Sequence, residues 1–98
     1  KEYNDAERLL PLMKAMQDAI SGNLLQDTDL DIAFQNSMRL ATRGNILASL
    51  DGIMDILRTD KHFRRDRGKE VVLGLLDLLD QESSLVKQYR SELTSILF

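Results

Sequence analysis

The stretch NILASLDGIMDILRTD, Asn45 to Asp60, decides how the chain folds. Ile46, Leu47, Leu50, Ile53, Met54, Ile56 and Leu57 are apolar, and at about 3.6 residues per turn they cover well over half of a helix surface. A helix that apolar has neighbours on more than one side. Ala48, Ser49 and Gly52 fall at i, i+3 and i, i+4 spacing and line up on the remaining surface. A glycine inside a helix costs roughly 1 kcal/mol relative to alanine, so Gly52 points to close approach of another backbone. The stretch reads as a central helix held between the elements before and after it.

Upstream, Leu30, Ala33, Phe34, Ser37, Met38 and Ala41 follow the spacing of an amphipathic helix from about Asp29 to Arg43. Thr28 and Asp31 resemble a capping box at its start, and Arg43 followed by Gly44 is a stop signal. Asn45 is placed to cap the central helix. With so short a turn, the two helices form an antiparallel hairpin. Further upstream, Asn4 or Asp5 starts a first helix that carries Leu9, Leu10, Leu12, Met13, Met16, Ala19 and Ile20 and ends at Ser21-Gly22. Pro11 lies inside it, so a kink or break is expected there. Leu24 and Leu25, in the connection that follows, are expected to tuck inward.

Downstream, Arg64 to Asp80 reads as a fourth helix with a Leu-rich second half and a further close contact at Gly74. Ser83 caps a fifth, whose buried face is Leu85, Val86, Tyr89, Leu93, Ile96 and Leu97. No segment alternates with period two, so no strands are expected. The fold class is all-α: about five helices in antiparallel hairpins.

The composition bounds the rest. Ninety-eight residues make one small domain at most, and an apolar content of 43% with a single Pro suits a packed helical core. A net charge of -3 gives no general attraction to nucleic acid or an anionic membrane. The absence of Cys excludes disulfides, thiolate metal sites and a Cys-x-x-Cys within these residues. No apolar run approaches the ~20 residues needed to cross a bilayer. A cytoplasmic protein is the default expectation, and Lys1 at the start suggests a piece of something longer.

Two successive hairpins call for a repeat test. With Gly44 as the turn glycine, a 34-residue unit runs from Leu30 to Phe63. Ser37 and Ser49 then occupy the close-contact positions of a tetratricopeptide unit, and Leu40 and Ile53 the large apolar ones. Its usual Trp, Leu and closing Pro are replaced by Ala33, Asn36 and Lys61, so the repeat is degenerate.

From Thr28 to Phe98 the chain resembles the C-terminal tetratricopeptide-like region of YbbN-type thioredoxin-like co-chaperones, the chaperedoxins. The resemblance is carried by the small-x-x-x-L-x-x-I-x-R-x-D pattern of Ala48 to Asp60, the mixed-charge entry DKHFRRDR at Asp60 to Arg67, and the ending SSLVKQYRSELTSILF. Ser83-Ser84 stands where the family has Asp-Pro, which keeps a cap and loses only a pre-set first turn. NDAERLL, Asn4 to Leu10, reads like the second helix of an earlier repeat. The division implied is a remnant and connection over 1–27, a tetratricopeptide-like hairpin over 28–63 and a C-terminal helix pair over 64–98. A thioredoxin-fold domain is expected upstream.

The resemblance implies protein partners: unfolded clients, chaperone machinery and the chain's own thioredoxin-like domain. It implies no catalysis and no cofactor in these residues, and oligomerisation stays open. The candidate partner-binding residues are Tyr89, Arg90, Leu93, Leu97 and Phe98 on the last helix and Arg64, Arg65 and Arg67 in the basic run. The last helix also reads as the closing element of a repeat stack, and the basic run as a solvated helix entrance. Leu9, Leu12, Met13 and Met16 form a further candidate surface, since Met repacks easily.

Two other readings stay open. The segment is an appendage of a disulfide oxidoreductase whose active site lies upstream, or, more weakly, a small nucleic-acid binder. Asp60, Asp66 and Glu70 interrupt the basic run and argue against the latter. Asp27, Asp29 and Asp31 lack the Gly and twelfth-position carboxylate of a calcium loop. They read as helix-capping acids, and no metal site is expected. His62 has neither a Cys nor a second His to bind metal with.

Overall fold

The amphipathic segments become five helices in the computed structural model, which describes residues 2–23 and 27–98, with side chains from Glu7 onward. These are α1 (Glu2–Ser21), α2 (Asp29–Thr42), α3 (Ile46–Thr59), α4 (Phe63–Asp77) and α5 (Ser84–Leu97). Among the described residues there is no strand. Leu24 and Leu25 lie outside them.

The local signals around the hairpin act as their chemistry dictates. Thr28 Oγ1 accepts from the Asp31 backbone N–H at 3.1 Å, and Asp31 Oδ2 accepts from the Thr28 N–H at 3.2 Å. Two helix-start donors are thereby satisfied reciprocally. At the other end Gly44 adopts φ 81°, the left-handed geometry glycine takes without penalty. Asn45 departs from expectation: its side chain makes no cap bond, and only its carbonyl joins α3 by accepting from Ser49. Packing rather than capping holds α3, because Leu50, Ile53, Met54, Ile56 and Leu57 are all buried.

Helix α3 packs against α2, α4 and α5, so it is central as its composition requires. Gly52 faces α2, but its close neighbour is the Ser37 side chain rather than backbone. Gly74 of α4 faces Leu12 of α1, where an added Cβ would stand 3.0 Å from Leu12 Cβ. Gly74 thus marks a close approach of two helices, whereas at Gly52 the obstacle is the Ser37 hydroxyl alone. Helix α1 packs on α2 and α4, so α1 to α4 close into a ring around one core, with α5 laid over α3 and α4. The backbones of α2 and α4 sit diagonally. They meet through side chains, with the Phe34 and Phe63 rings 5.4 Å apart. A Cα radius of gyration of 12.7 Å matches a single core of this length.

Three boundaries are corrected by the structure. Helix α1 begins at Glu2, ahead of Asn4 and Asp5, and runs through Pro11 without a break. The carbonyl deprived of its donor belongs to Glu7, an exposed residue, and downstream burial of Leu12, Ala15 and Ala19 outweighs the loss. Helix α4 stops at Asp77, leaving Leu78 and Leu79 outside. Its end is closed by Gln81, whose Nε2 donates to the Leu76 carbonyl at 2.7 Å and the Leu79 carbonyl at 2.6 Å. The entry to α4 is not regular either: Arg64, Arg65 and Asp66 have φ of 52°, 55° and 71°. Left-handed geometry costs non-glycine residues roughly 1–2 kcal/mol each, so side-chain contacts must hold this turn. Ser83 does cap α5, its Oγ accepting from Leu85 at 3.2 Å and Val86 at 3.4 Å.

Candidate protein-interaction surfaces

The residues singled out by the sequence fall into two groups, at the entry of α4 and along α5. At the α4 entry, Arg64 turns inward. Its guanidinium carbon lies 5.0 Å from the Phe34 ring centroid and 5.2 Å from that of Phe63. Its Nη2 donates to Asp31 Oδ1 at 2.9 Å. This bond, ahead of the Thr28 contacts, holds the Asp31 carboxyl below its ordinary value against the opposing effect of burial. One guanidinium thus ties the entry of α4 to the cap of α2, and it is the contact that steadies the left-handed turn. His62 Nδ1 and Asp66 Oδ1 stand 2.9 Å apart across the same turn, and the hydrogen bond to His62 lowers the Asp66 carboxyl.

Arg65 and Arg67 are exposed, with Arg67 3.5 Å from Glu70. Arg64 and Arg67 border a cleft of about 290 Å³ shared with Lys14, Ala15, Asp18 and Phe34. Its charged lining is three cations and the one carboxylate of Asp18. Within the basic run His62, Arg64 and Arg67 each stand beside a carboxylate, of Asp66, Asp31 and Glu70. Among the described residues no three His, Cys, Asp or Glu side chains converge in a way that could hold a metal ion.

At the other end of α4, Asp77 Oδ1 accepts from Arg8 of α1 at 3.0 Å and from Arg90 of α5 at 3.3 Å. Arg90 also donates to Gln81 Oε1 at 2.5 Å. Tyr89 donates its hydroxyl to Asp51 of α3 at 2.5 Å. Burial, then the Asp51 carboxylate, pushes the phenol up to about 12. Arg58 of α3 bridges Asp55 and Glu92. Leu93 is buried, and Leu97 is half-buried against the core. Phe98 is 98% exposed, and Leu85 at the start of the helix is also exposed.

Tyr89, Arg90 and Leu93 therefore fasten α5 to the molecule, while Phe98 presents apolar surface to solvent. The Leu and Met stripe of α1 divides differently from the sequence reading. Leu12 is buried and Met16 packs on the core, while Leu10, Met13 and Ile20 are exposed. Three partners were missed: Asp51 for Tyr89, Asp77 for Arg90 and Asp31 for Arg64. No sequence spacing signals contacts between residues 38, 13 and 33 positions apart.

No helix of the described residues is long and apolar enough to cross a membrane. Among curated proteins no relative matches the chain. No solved structure matches it either. A family model described as tetratricopeptide repeat matches residues 11–98. Its span takes in α2 to α5 and the part of α1 that contacts Gly74. Such repeats are non-catalytic modules that mediate protein–protein interaction. With helical hairpins, a turn glycine and small residues at the helix contacts all in place, the chain belongs to the tetratricopeptide-repeat family.

Proposed function

We propose that the chain is the protein-interaction module of a thioredoxin-like co-chaperone, which holds unfolding clients or docks them to chaperone machinery in the cytoplasm. Membership of the repeat family supports an interaction role. The finer reading rests on the resemblance of the segment from Ser83 to Phe98 to the chaperedoxin ending. Within that segment Phe98 with Leu97 offers one apolar contact and Leu85, about 20 Å away at the other end of α5, a second, and Arg65 and Arg67 add a polar site at the entry of α4. Tyr89, Arg90, Leu93 and Arg64 act behind this surface by fixing α5 and the α4 entry. An apolar contact surface suits clients that expose apolar segments on unfolding.

The test is suppression of aggregation of a heat-unfolded client protein by the chain. The expected result is protection that weakens in Phe98→Ser and Leu85→Ser variants of unchanged helical content. Absence of protection, or equal protection by the variants, would count against the reading. A Cys-x-x-Cys in an upstream domain, with disulfide exchange unaffected by removing this segment, would favour the oxidoreductase appendage instead.

A further inference from the structure

Helices α3 and α5 lie side by side and run the same way: Tyr89 bonds Asp51, and Glu92, further along α5, bonds Arg58, further along α3. Between them is a pocket of about 120 Å³ lined by Asp51, Leu85, Gln88, Tyr89 and Glu92. Its apolar part is Leu85, 42% exposed, with half-buried Tyr89. Its polar part is two carboxylates and an amide. Small-molecule sites are larger, roughly 300–1,000 Å³, so the space suits one side chain of a bigger partner. Leu47 and Leu85 stand one turn before Asp51 and Tyr89, which puts two exposed leucines at one end of the pocket.

The charges around the pocket do not cancel. Glu92 Oε2 accepts from Arg58 at 3.0 Å, but Arg58 also serves Asp55. Asp51 takes the Tyr89 hydroxyl on Oδ1 and, among the described residues, forms no ion pair. Three carboxylates thus share one guanidinium. The other cations of α5 are turned away. Arg90 is bonded to Asp77, and Lys87 is two residues from both Leu85 and Tyr89, a spacing that puts it on another side of the helix. The negative field reaches the phenol: after burial, it is Asp51 and then Glu92 that push Tyr89 up.

We propose that this pocket receives an arginine side chain from a basic segment of a partner protein. The aliphatic stem lies on Leu85, as long cationic side chains cover apolar surface. The guanidinium carries five N–H donors in a planar fork, enough to reach the second oxygen of Asp51, the Glu92 carboxylate and Gln88 Oε1 together. An acidic segment is rejected, because it would set like charges against Asp51 and Glu92. The proposal goes beyond the co-chaperone reading: it asks for a positive charge in the partner rather than for unfolding.

Titration of the chain with a short peptide of arginine, leucine and alanine at low salt tests it, followed by nuclear magnetic resonance and fluorescence anisotropy. Binding is expected to shift the Gln88 amide and Tyr89 ring signals and to weaken as salt is raised. Asp51→Asn keeps an oxygen for the Tyr89 hydroxyl and leaves Leu85 and Phe98 in place. It should raise the dissociation constant about tenfold with unchanged helical content and unchanged client protection. Glu7→Gln removes the same charge from an exposed position on α1 and should bind as the parent does. No binding, signals that shift only elsewhere, or equal affinity of Asp51→Asn and Glu7→Gln would each overturn the proposal. Absence of client protection in the parent bears on the co-chaperone reading alone, so the two failures are distinguishable.

Discussion

Gly52 of α3 faces Ser37 of α2 with no space for a side chain: a Cβ built on Gly52 would overlap Ser37 Oγ and stand 3.5 Å from Ser37 Cβ. Only the hydroxyl is in the way, because 3.5 Å between carbons is ordinary contact. Gly52→Leu should therefore lower stability by about 1–3 kcal/mol through overpacking. The sharper expectation concerns Gly52→Ala. In a Ser37→Ala background it should stabilise by about 0.5–1 kcal/mol, since alanine is the better helix former. In the parent it should do less or destabilise. A double-mutant cycle by denaturant unfolding measures the difference. Equal effects in both backgrounds would show that the hydroxyl is not the obstacle.

The left-handed turn at the start of α4 gives a second expectation. Arg65 has φ 55° and is exposed, so its side chain contributes little that offsets its backbone geometry. Arg65→Gly should stabilise by about 0.5–1 kcal/mol, because glycine takes positive φ freely but also gains freedom in the unfolded chain. Thermal unfolding should show a rise in Tm; a fall would mean the turn is not left-handed in solution.

Acid should loosen the same region. Asp31 has its carboxyl lowered from 3.8, chiefly by the Arg64 hydrogen bond. A depressed folded value contributes stability that is complete above 3.8 and is lost as pH falls through the lower folded value. Asp31→Asn should remove this component of acid sensitivity while lowering stability at neutral pH. Arg64→Lys should act in the same direction, since an ammonium cannot both stack on Phe34 and Phe63 and present a planar donor to Asp31. Urea unfolding across the acid range reads both.

Alkali should loosen the contact of α5 with α3. Tyr89 is raised from 10.0 to about 12, by burial first and by Asp51 second. A raised folded value contributes stability that is present below pH 10.0 and disappears by about pH 12, as the unfolded phenol ionises first. Tyr89→Phe should flatten that loss, and ultraviolet titration of phenolate should show one late-ionising tyrosine in the parent. A single titration near the ordinary value would remove the Tyr89–Asp51 bond from solution.

The helices and the hairpin were legible because periodicity, Thr28 with Asp31, and Gly44 are local signals acting over a few residues. The α4 entry was not. Arg64 to Glu70 reads as an ordinary polar helix start, and its left-handed course depends on Arg64 reaching Asp31 and two rings in space. Pro11 misled for the opposite reason: a local penalty was outweighed by burial of Leu12, Ala15 and Ala19. Helix α1 is apolar around so much of its surface that pattern alone could not tell the buried side, with Leu12, from the bare side, with Met13. The candidate residues on α5 were recognisable as a group, but their division into fasteners and free surface follows from Asp51 and Asp77, far away in sequence.

A single oxygen of Asp77 accepts from guanidinium groups on the first helix and on the last. That carboxylate is thus a strut between α1 and α5 across the end of α4, so its removal would slacken both helices at once.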